Sequence, residues 1–385
     1  MTLRNVLSFG PEGQTLDFEP LNVFIGANGS GKTNLLEIVS LLKALPDELH
    51  RFLKEWGGLS EWIWKGDGAN ERAEITTEWD VQWQGVHRVA HHIEFSVAEH
   101  RLEFLKERIT EFTPEGEELH FDREGSKGRV LDASTRVVRT VNLTDQAERS
   151  VLATLRDPER YPALDALQRC YSSIRSYRRW TFGPGAPARR PVRVDVWDDA
   201  VLEENQQNLA SILQGLLHPD RHEVREKLLT AFRRFYGDDS EPVVKEPSRL
   251  HLDIAVKEAS GFETPALRVS DGTLHFLSLL AILLNPEPAS LVCLEEPELG
   301  LHPDAVRLVA EVLRDACEDK QLLITTHSAD LISGLGDVPE AVATLEREVD
   351  RSVVNRLSPA RLELWLERYT LGDLWLSGEI GGTRW

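Results

Sequence analysis

The run Gly26-Ala-Asn28-Gly29-Ser30-Gly31-Lys32-Thr33-Asn34 spaces a glycine, four residues, a second glycine, a lysine and a threonine. Glycines at these positions let successive backbone N–H groups wrap an anion. Lys32 then supplies a mobile positive charge, and the Thr33 hydroxyl suits the coordination shell of a divalent cation. This is phosphate chemistry. Far downstream, in LVCLEEPELGLHP, Glu295 and Glu296 follow four apolar residues. Adjacent carboxylates at the end of a buried strand can divide two tasks: Glu295 holds Mg²⁺ through its water shell, and Glu296 orients and polarises an attacking water. A third run, QLLITT, ends in His327 and Ser328 and brings an imidazole to the same sheet edge, within reach of a terminal phosphate. A lone histidine is more often structural, so this reading leans on the other motifs. In a fourth, Ser270, Asp271, Gly272 and Thr273 open an apolar helix. Ser270 fits a helix N-cap, and the same hydroxyl, with free N–H groups and the helix dipole, also fits a phosphate.

The elements around these residues are those such chemistry needs. Short strands are predicted over Leu3 to Phe9 and Thr15 to Phe18, and a buried strand from Leu21 to Ile25 runs directly into the glycine-rich loop. Leu35, Ile38, Val39 and Leu42 follow at i, i+3, i+4 and i+7, one apolar stripe of a helix that Pro46 should end. From Glu71 to about Val141 apolar and polar residues alternate, as in RAEITTEW and HHIEFSVAE, which predicts antiparallel strands. From about Asp145 to Gly237 the period becomes helical, with Leu152, Leu155, Leu164, Leu167, Leu209, Leu213, Leu216 and Leu217 as buried positions. Prolines interrupt that stretch and no heptad persists, so a long coiled coil is excluded. Strands HLDIAVKE and LVCLEE then alternate with helices at Thr273 to Leu284 and Asp304 to Cys317, the order of a mostly parallel α/β sheet. The expected organisation is residues 1–144 as the N-terminal part of an α/β P-loop NTPase head with an antiparallel β-subdomain, 145–240 as a helical insertion, and 241–385 as the C-terminal part of the head.

Composition narrows the class further. The 385 residues carry 44 Lys and Arg against 64 Asp and Glu, a net charge of -20, so the surface as a whole repels polyanions and any nucleic-acid contact must be local. Cys170, Cys293 and Cys317 have no ligand spacing, which fits a reducing cytoplasm and argues against a disulfide framework or zinc site. The N-terminus lacks a signal-peptide hydrophobic region, and the most apolar run, LHFLSLLAILLN, is shorter than the ~20 residues of a membrane span. A cytoplasmic protein without a membrane segment is expected.

GANGSGKT, SDGT, EEPELGLHP and TTHS occur in the order found in ATP-binding-cassette (ABC) ATPases, and the sequence most resembles the soluble branch containing RecF, SMC heads and the ATPase part of OLD-family proteins. The resemblance spans nearly the whole chain, including LEENQQNLASIL before the fourth motif. It implies ATP and Mg²⁺ as ligands, with Gly26, Asn28, Gly29, Ser30, Gly31, Lys32, Thr33 and Asn34 on the nucleotide, Thr33 and Glu295 on the metal, and Lys32, Glu296 and His327 in catalysis. It also implies a homodimer closed head to head on ATP, with Ser270 and Gly272 acting on the partner's nucleotide. The long interval between the motifs then corresponds to the family's β-lobe plus a short helical arm, where SMC proteins carry their coiled coil. Glu295 stands where many members have Asp. Asp271 sets a carboxylate beside a phosphate-binding turn and must point away from it. The family's Mg²⁺-sensing glutamine is not identifiable; Gln82, Gln84 and Gln146 are weak candidates, and that role is left empty. OLD nucleases continue into a Toprim nuclease domain, whereas fewer than sixty residues follow His327 here. The resemblance therefore points to a separate effector chain, a Toprim-type nuclease among the candidates, and to antiphage defence or DNA repair. The alternative is a slow ATP-dependent switch or scaffold that holds and releases a partner protein.

Two further features admit two readings each. The stretch from Arg169 to Arg193 contains Arg175, Arg178, Arg179, Arg189 and Arg190 among aromatics and no acid. Arginine beside aromatics suits phosphate contacts and base stacking, and the same arginines can instead pair with the chain's surplus carboxylates, or some can reach the bound nucleotide. The tail offers Trp365, Trp375 and Trp385 either to the core or to a docked partner, with the core expected for the first two. His91 and His92 alternate across a strand, and His218 and His222 flank Pro219, so neither pair reads as a metal site.

Overall fold

The computed structural model describes residues 1–47, 49–55, 59–66, 71–98, 101–193, 200–248 and 251–382. It divides into two compact units built from interleaved segments. Trp385 lies outside the described residues.

The first unit takes in Met1–Phe18, Gly26–Ile174 and Thr344–Asn355. Its alternating sequence forms an eight-stranded antiparallel sheet in the order Gln14–Thr15, Thr2–Arg4, Arg72–Trp83, Val86–Ala98, Arg101–Thr113, Gly116–Glu124, Lys127–Asp132 and Val137–Asn142. In the Arg72–Trp83 strand Ala73, Ile75 and Thr77 are buried at period two. The helix Pro162–Ser172 contributes buried Tyr171, whose hydroxyl lies 2.9 Å from Thr77 Oγ1 and 3.0 Å from His91 Nδ1. His91 is thereby a buried structural histidine, completed by Glu107 Oε1 at 3.3 Å, whereas His92 on the other face meets Thr76. The strand expected from Leu3 to Phe9 ends at Arg4. Asn5 and Leu7 adopt positive φ of 54° and 51°, which turns the chain so that Val6 bridges back to Phe9. The expected second strand shortens likewise to Gln14–Thr15. The helix after the glycine-rich loop spans Lys32–Ala44, buries Leu35, Ile38, Val39 and Leu42, and ends just ahead of Pro46.

The second unit takes in Glu19–Ile25, Arg175–Ala343 and the chain from Arg356. Its parallel strands run in the order Arg175–Tyr177, Val292–Glu295, Leu322–Thr326 and Leu21–Ile25. The Arg175–Tyr177 strand, like Val192–Arg193, falls within the stretch of helical period expected from about Asp145 to Gly237. Three residues carry too little periodicity to stand out among helices, and pairing with Val292–Leu294 is what fixes them as a strand. The helices in that stretch are Pro162–Ser172, Leu209–Leu216 and His222–Tyr236. An antiparallel sheet of Val192–Arg193, His251–Lys257 and Glu241–Ser248, with Glu263–Pro265 alongside, lies in the same unit. Leu21, Val23 and Ile25, with Leu294 and Ile324, share one apolar core with the helices Leu209–Leu216, His222–Tyr236, Asp271–Leu283 and Pro303–Ala316. The Asp271–Leu283 helix is buried on all sides from Thr273 to Leu283, which explains why its sequence is apolar without a polar face. Trp375 is buried and Trp365 is 44% exposed, so only the former serves the core. No helix among the described residues is long and apolar enough to cross a membrane.

Candidate functional site

In the first unit the loop from Gly26 is shaped by its glycines. Gly29 and Gly31 have φ of 78° and 111°, a region that L side chains rarely enter, and Gly31 caps the helix. Gly26, Ser30, Gly31 and Lys32 are buried, whereas Asn28, Gly29 and Thr33 are exposed and Asn34 is half-buried. Lys32 Nζ curls back over the loop and donates to the carbonyls of Gly26 at 2.7 Å and Ala27 at 3.1 Å. From behind, Ser352 Oγ lies 2.5 Å from the Ser30 carbonyl oxygen and 2.8 Å from Ser8 Oγ. A cavity of about 520 Å³ adjoins the loop at Gly29 and Asn34, with Ser8, Trp64, Arg347 and Arg351 among its walls. Buried Ser30 Oγ has no hydrogen-bond partner among the described residues. A cradle without room for Cβ atoms at Gly26 and Gly31, a lysine folded into it and an unsatisfied hydroxyl fit a polyphosphate with its Mg²⁺. Sequence reasoning did not find Ser8 or Ser352, whose only signal is proximity in the fold.

In the second unit three parallel strands end at one edge. Glu295 is in register with Thr325, and Thr326 with Ile25, after which the chain enters the glycine-rich loop. Ligands in open α/β sheets sit beyond such carboxyl ends. Glu296 leaves its strand with φ of 48°, uncommon for a residue with a side chain, and its N–H donates to the Thr325 carbonyl at 2.8 Å. His327 Nε2 lies 3.7 Å from Glu296 Oε1, so these two predicted residues meet. Glu295 Oε2 accepts from Arg178 Nε at 3.2 Å, and the Glu295 carbonyl accepts from the Trp180 indole at 2.7 Å.

The turn before the Asp271–Leu283 helix is held by the same stretch of chain. Ser270 Oγ accepts from the Thr273 N–H at 3.0 Å, the N-cap geometry. Asp271 points away from that turn, as required: its carboxylate accepts from the Gly183 N–H at 2.8 Å and from Arg189 at 2.7 Å. The Arg189 hydrogen bond, backed by the Gly183 amide, holds its pKa below the usual carboxylate value. A Cβ on Gly272 would lie 3.0 Å from the Gly300 carbonyl, so the glycine permits close approach of the acidic loop. His275, one turn on, is stacked edge-on to Trp180 at 4.3 Å and its Nε2 donates to the Pro297 carbonyl at 2.7 Å.

The basic stretch therefore answers to its second reading at two positions. Arg178 and Arg189 pair with acids inside the unit, while Arg179 and Arg190 are exposed. Arg189 is buried and also donates to the Ala266 and Val269 carbonyls at 2.6 and 2.7 Å. Arg189→Ala is expected to cost about 2 kcal/mol, chiefly because it leaves the Ala266 and Val269 carbonyls without the buried guanidinium, the Asp271 partner being partly exposed. Arg190→Ala should stay within about 0.5 kcal/mol. Thermal unfolding of the two variants checks both.

Burial pushes the His275 imidazole down to about 4, against the upward pull of its bond to Pro297. The folded state thus holds His275 neutral, while the unfolded chain takes up a proton near pH 6.5. Stability from this group is present above pH 6.5 and is lost as pH falls toward 4, by about 2 kcal/mol between pH 7 and 5. Urea unfolding at the two pH values should show that loss, and His275→Gln should remove it from the difference.

A glycine-rich anion loop opening a helix after one parallel strand, paired acids ending a second and a histidine ending a third define a P-loop NTPase, an ABC-type ATPase head of the RecF and SMC branch. The chain belongs to the family described as "AAA domain, putative AbiEii toxin, Type IV TA system", whose model matches residues 21–333. It is similar to the DNA replication and repair protein RecF of Lactococcus lactis subsp. lactis (strain IL1403), at 31% identity over 135 residues, 34% of this chain and 37% of that protein. RecF of Lactococcus lactis subsp. cremoris (strain MG1363) matches at 32% over 142 residues, 35% of this chain and 38% of the relative. The chain thus spans under two fifths of the length of these relatives. In fold it is similar to an SMC head bound to the C-winged helix domain of ScpA, with TM-score 0.56, 14% identity and coverage of 94% of this chain and 98% of that one. A second SMC head, with an extended coiled coil and bound to the C-terminal domain of ScpA derived from Pyrococcus furiosus, gives TM-score 0.54 at 12% identity, covering 95% and 97%.

Proposed function

We propose that this chain binds and hydrolyses ATP, that two copies close head to head on the nucleotide, and that the closed state controls a nucleic-acid process in antiphage defence or DNA repair through a separate effector protein. The observation that carries this reading is the meeting of Glu296 and His327 at 3.7 Å at the sheet edge where the strand leading into the glycine-rich loop also ends. In this reading Gly26, Asn28, Gly29, Ser30, Gly31 and Asn34 wrap the phosphates, and Lys32 exchanges its loop carbonyls for the β and γ oxygens. The cavity beside Trp64 and Arg351 takes the base and ribose. Thr33 and Glu295 would hold Mg²⁺, which supplies charge neutralisation on the phosphates. Glu296 orients and deprotonates the attacking water, and His327 contacts the γ-phosphate. Ser270 and Gly272 serve the nucleotide of the second copy.

The RecF relatives support nucleic acid as the object of control, with exposed Arg179 and Arg190 as its contacts, along with Arg175. The SMC heads described as ScpA-bound support a protein partner, for which a Toprim-type nuclease is one candidate. The cytoplasm is the proposed setting. A second reading, a slow switch or scaffold that holds a partner while ATP is bound, draws on the Arg178 to Glu295 pair, which occupies one oxygen of the Mg²⁺-facing acid. Turnover separates the two. ATP hydrolysis measured alone and with DNA or RNA should rise with nucleic acid under the first reading, whereas long-lived ATP complexes with negligible turnover under all conditions overturn it in favour of the second.

A further inference from the structure

Glu298 lies two residues beyond Glu296, yet its carboxyl turns back under the neighbouring strand end. Oε1 accepts from the Thr326 hydroxyl at 2.5 Å and from the His327 N–H at 3.2 Å. Thr326 Oγ1 in turn accepts from the Ser328 N–H at 2.8 Å, so the hydroxyl proton is committed to Glu298. One side chain of the acidic loop therefore fixes two successive peptide groups of the histidine turn, one directly and one through Thr326. Oε2 is buried and has no hydrogen-bond partner among the described residues. An unsatisfied buried carboxyl oxygen is costly, and burial raises the pKa of the group against the pull of its hydrogen bonds. Costs of this kind persist where a site requires them.

Glu296 and His327 sit on different strands, and two ties join the ends of those strands: the Glu296 N–H to the Thr325 carbonyl, and Glu298 to Thr326 and His327. The first fixes the backbone before the acidic loop turns, and the second fixes the histidine after the strand stops. Without the second tie, Glu296 at φ 48° would face an imidazole whose backbone is anchored on one side alone. We propose that Glu298 is a positioning residue of the hydrolytic site: its buried carboxyl locks the Thr326–His327 turn to the acidic loop and so sets the spacing of Glu296 and His327. This inference rests on the reading of the chain as an ATP hydrolase.

The test measures kcat and KM for ATP in Glu298→Ala, Glu298→Gln, Thr326→Val and Thr326→Ser, beside the wild type. Misplacement of reacting groups by even one ångström costs up to about a hundredfold in rate. Glu298→Ala and Thr326→Val are expected to lose about ten- to a hundredfold in kcat with KM little changed. Glu298→Gln keeps an acceptor oxygen and Thr326→Ser keeps the hydroxyl, so both should retain most of the wild-type rate. A purely structural role would not give this split with rescue by the conservative variants. Wild-type kcat in folded Glu298→Ala, or equal losses in Glu298→Ala and Glu298→Gln, overturns the proposal. Should Glu298→Ala not fold, the threonine pair decides: equal kcat in Thr326→Val and Thr326→Ser overturns it. A wild-type chain that binds ATP without turnover overturns the hydrolytic reading and this one together, whereas normal wild-type turnover with indifferent variants overturns the role of Glu298 alone.

Discussion

Glu296→Gln is expected to lower ATP turnover by about 10²- to 10⁴-fold, the range for loss of a positioned general base, while leaving ATP affinity nearly unchanged. An amide retains the size of the side chain and the approach to His327, but it cannot take a proton from water. In the proposed function the phosphates are held by the loop from Gly26 to Asn34, whose shape depends on Gly29, Gly31 and the Ser352 contact. Hydrolysis and binding should therefore separate cleanly in this variant. The blocked enzyme should also accumulate in its nucleotide-closed form. With saturating ATP and Mg²⁺, light scattering is expected to report a dimer for Glu296→Gln and a monomer without nucleotide. A chain that remains monomeric under those conditions removes the head-to-head mechanism and the trans roles of Ser270 and Gly272. A chain that dimerises yet hydrolyses at the wild-type rate leaves the dimer standing and moves the base to another residue.

The parts of the site that were legible in the sequence are those whose chemistry is local. Gly26, Gly31, Lys32 and Thr33 announce a loop because glycine conformation and lysine reach act within a few residues of chain. Glu295 and Glu296 stood out because charge directly after VCL demands a reason. The supporting contacts were not legible because they join distant segments. Arg178 meets Glu295, and Arg189 meets Asp271, across 117 and 82 positions, and nothing in an arginine-rich run tells a buried pair from a phosphate contact. His275 is hidden in an apolar run that reads as core, which it is, and its function as a tie to Pro297 shows only in three dimensions. Glu298 was in plain view within EEPELG, but its neighbours offer no hint that it folds inward beneath Thr326. In the fold, long helices and the alternating strands followed their periodicity. The three-residue strand Arg175–Tyr177 and the broken opening strand did not, since both are decided by partners and by single left-handed residues.

Gly31→Ala and Gly26→Ala should both abolish useful ATP binding, and the way each responds to a second substitution tests the geometry of the cradle. An alanine Cβ at Gly31 would lie 2.2 Å from Ser352 Oγ and 2.7 Å from Ser8 Oγ, at φ of 111°. Conformational strain of about 1–3 kcal/mol accompanies such a φ. Each 1.4 kcal/mol is about tenfold in affinity, so strain alone predicts a loss of roughly ten- to a hundredfold, and the clash adds to it. Both obstructing atoms are hydroxyls at the ends of short side chains, and the nearer is that of Ser352, so Gly31→Ala combined with Ser352→Ala should recover part of the loss but not the strain. At Gly26 the obstacle is the Leu345 carbonyl oxygen, which belongs to the backbone and would lie 2.2 Å from an alanine Cβ. No side-chain truncation can relieve it, and Gly26→Ala should be the more severe change with no rescue by Ser352→Ala. Titration with a fluorescent ATP analogue reads the single and double variants, Ser352→Ala alone being the control for loss of the Ser30 contact. Near-normal affinity in Gly31→Ala would mean that the loop does not hold the nucleotide in the conformation described. Equal rescue of both glycine variants would mean that the two contacts do not differ as the backbone and side-chain obstacles require.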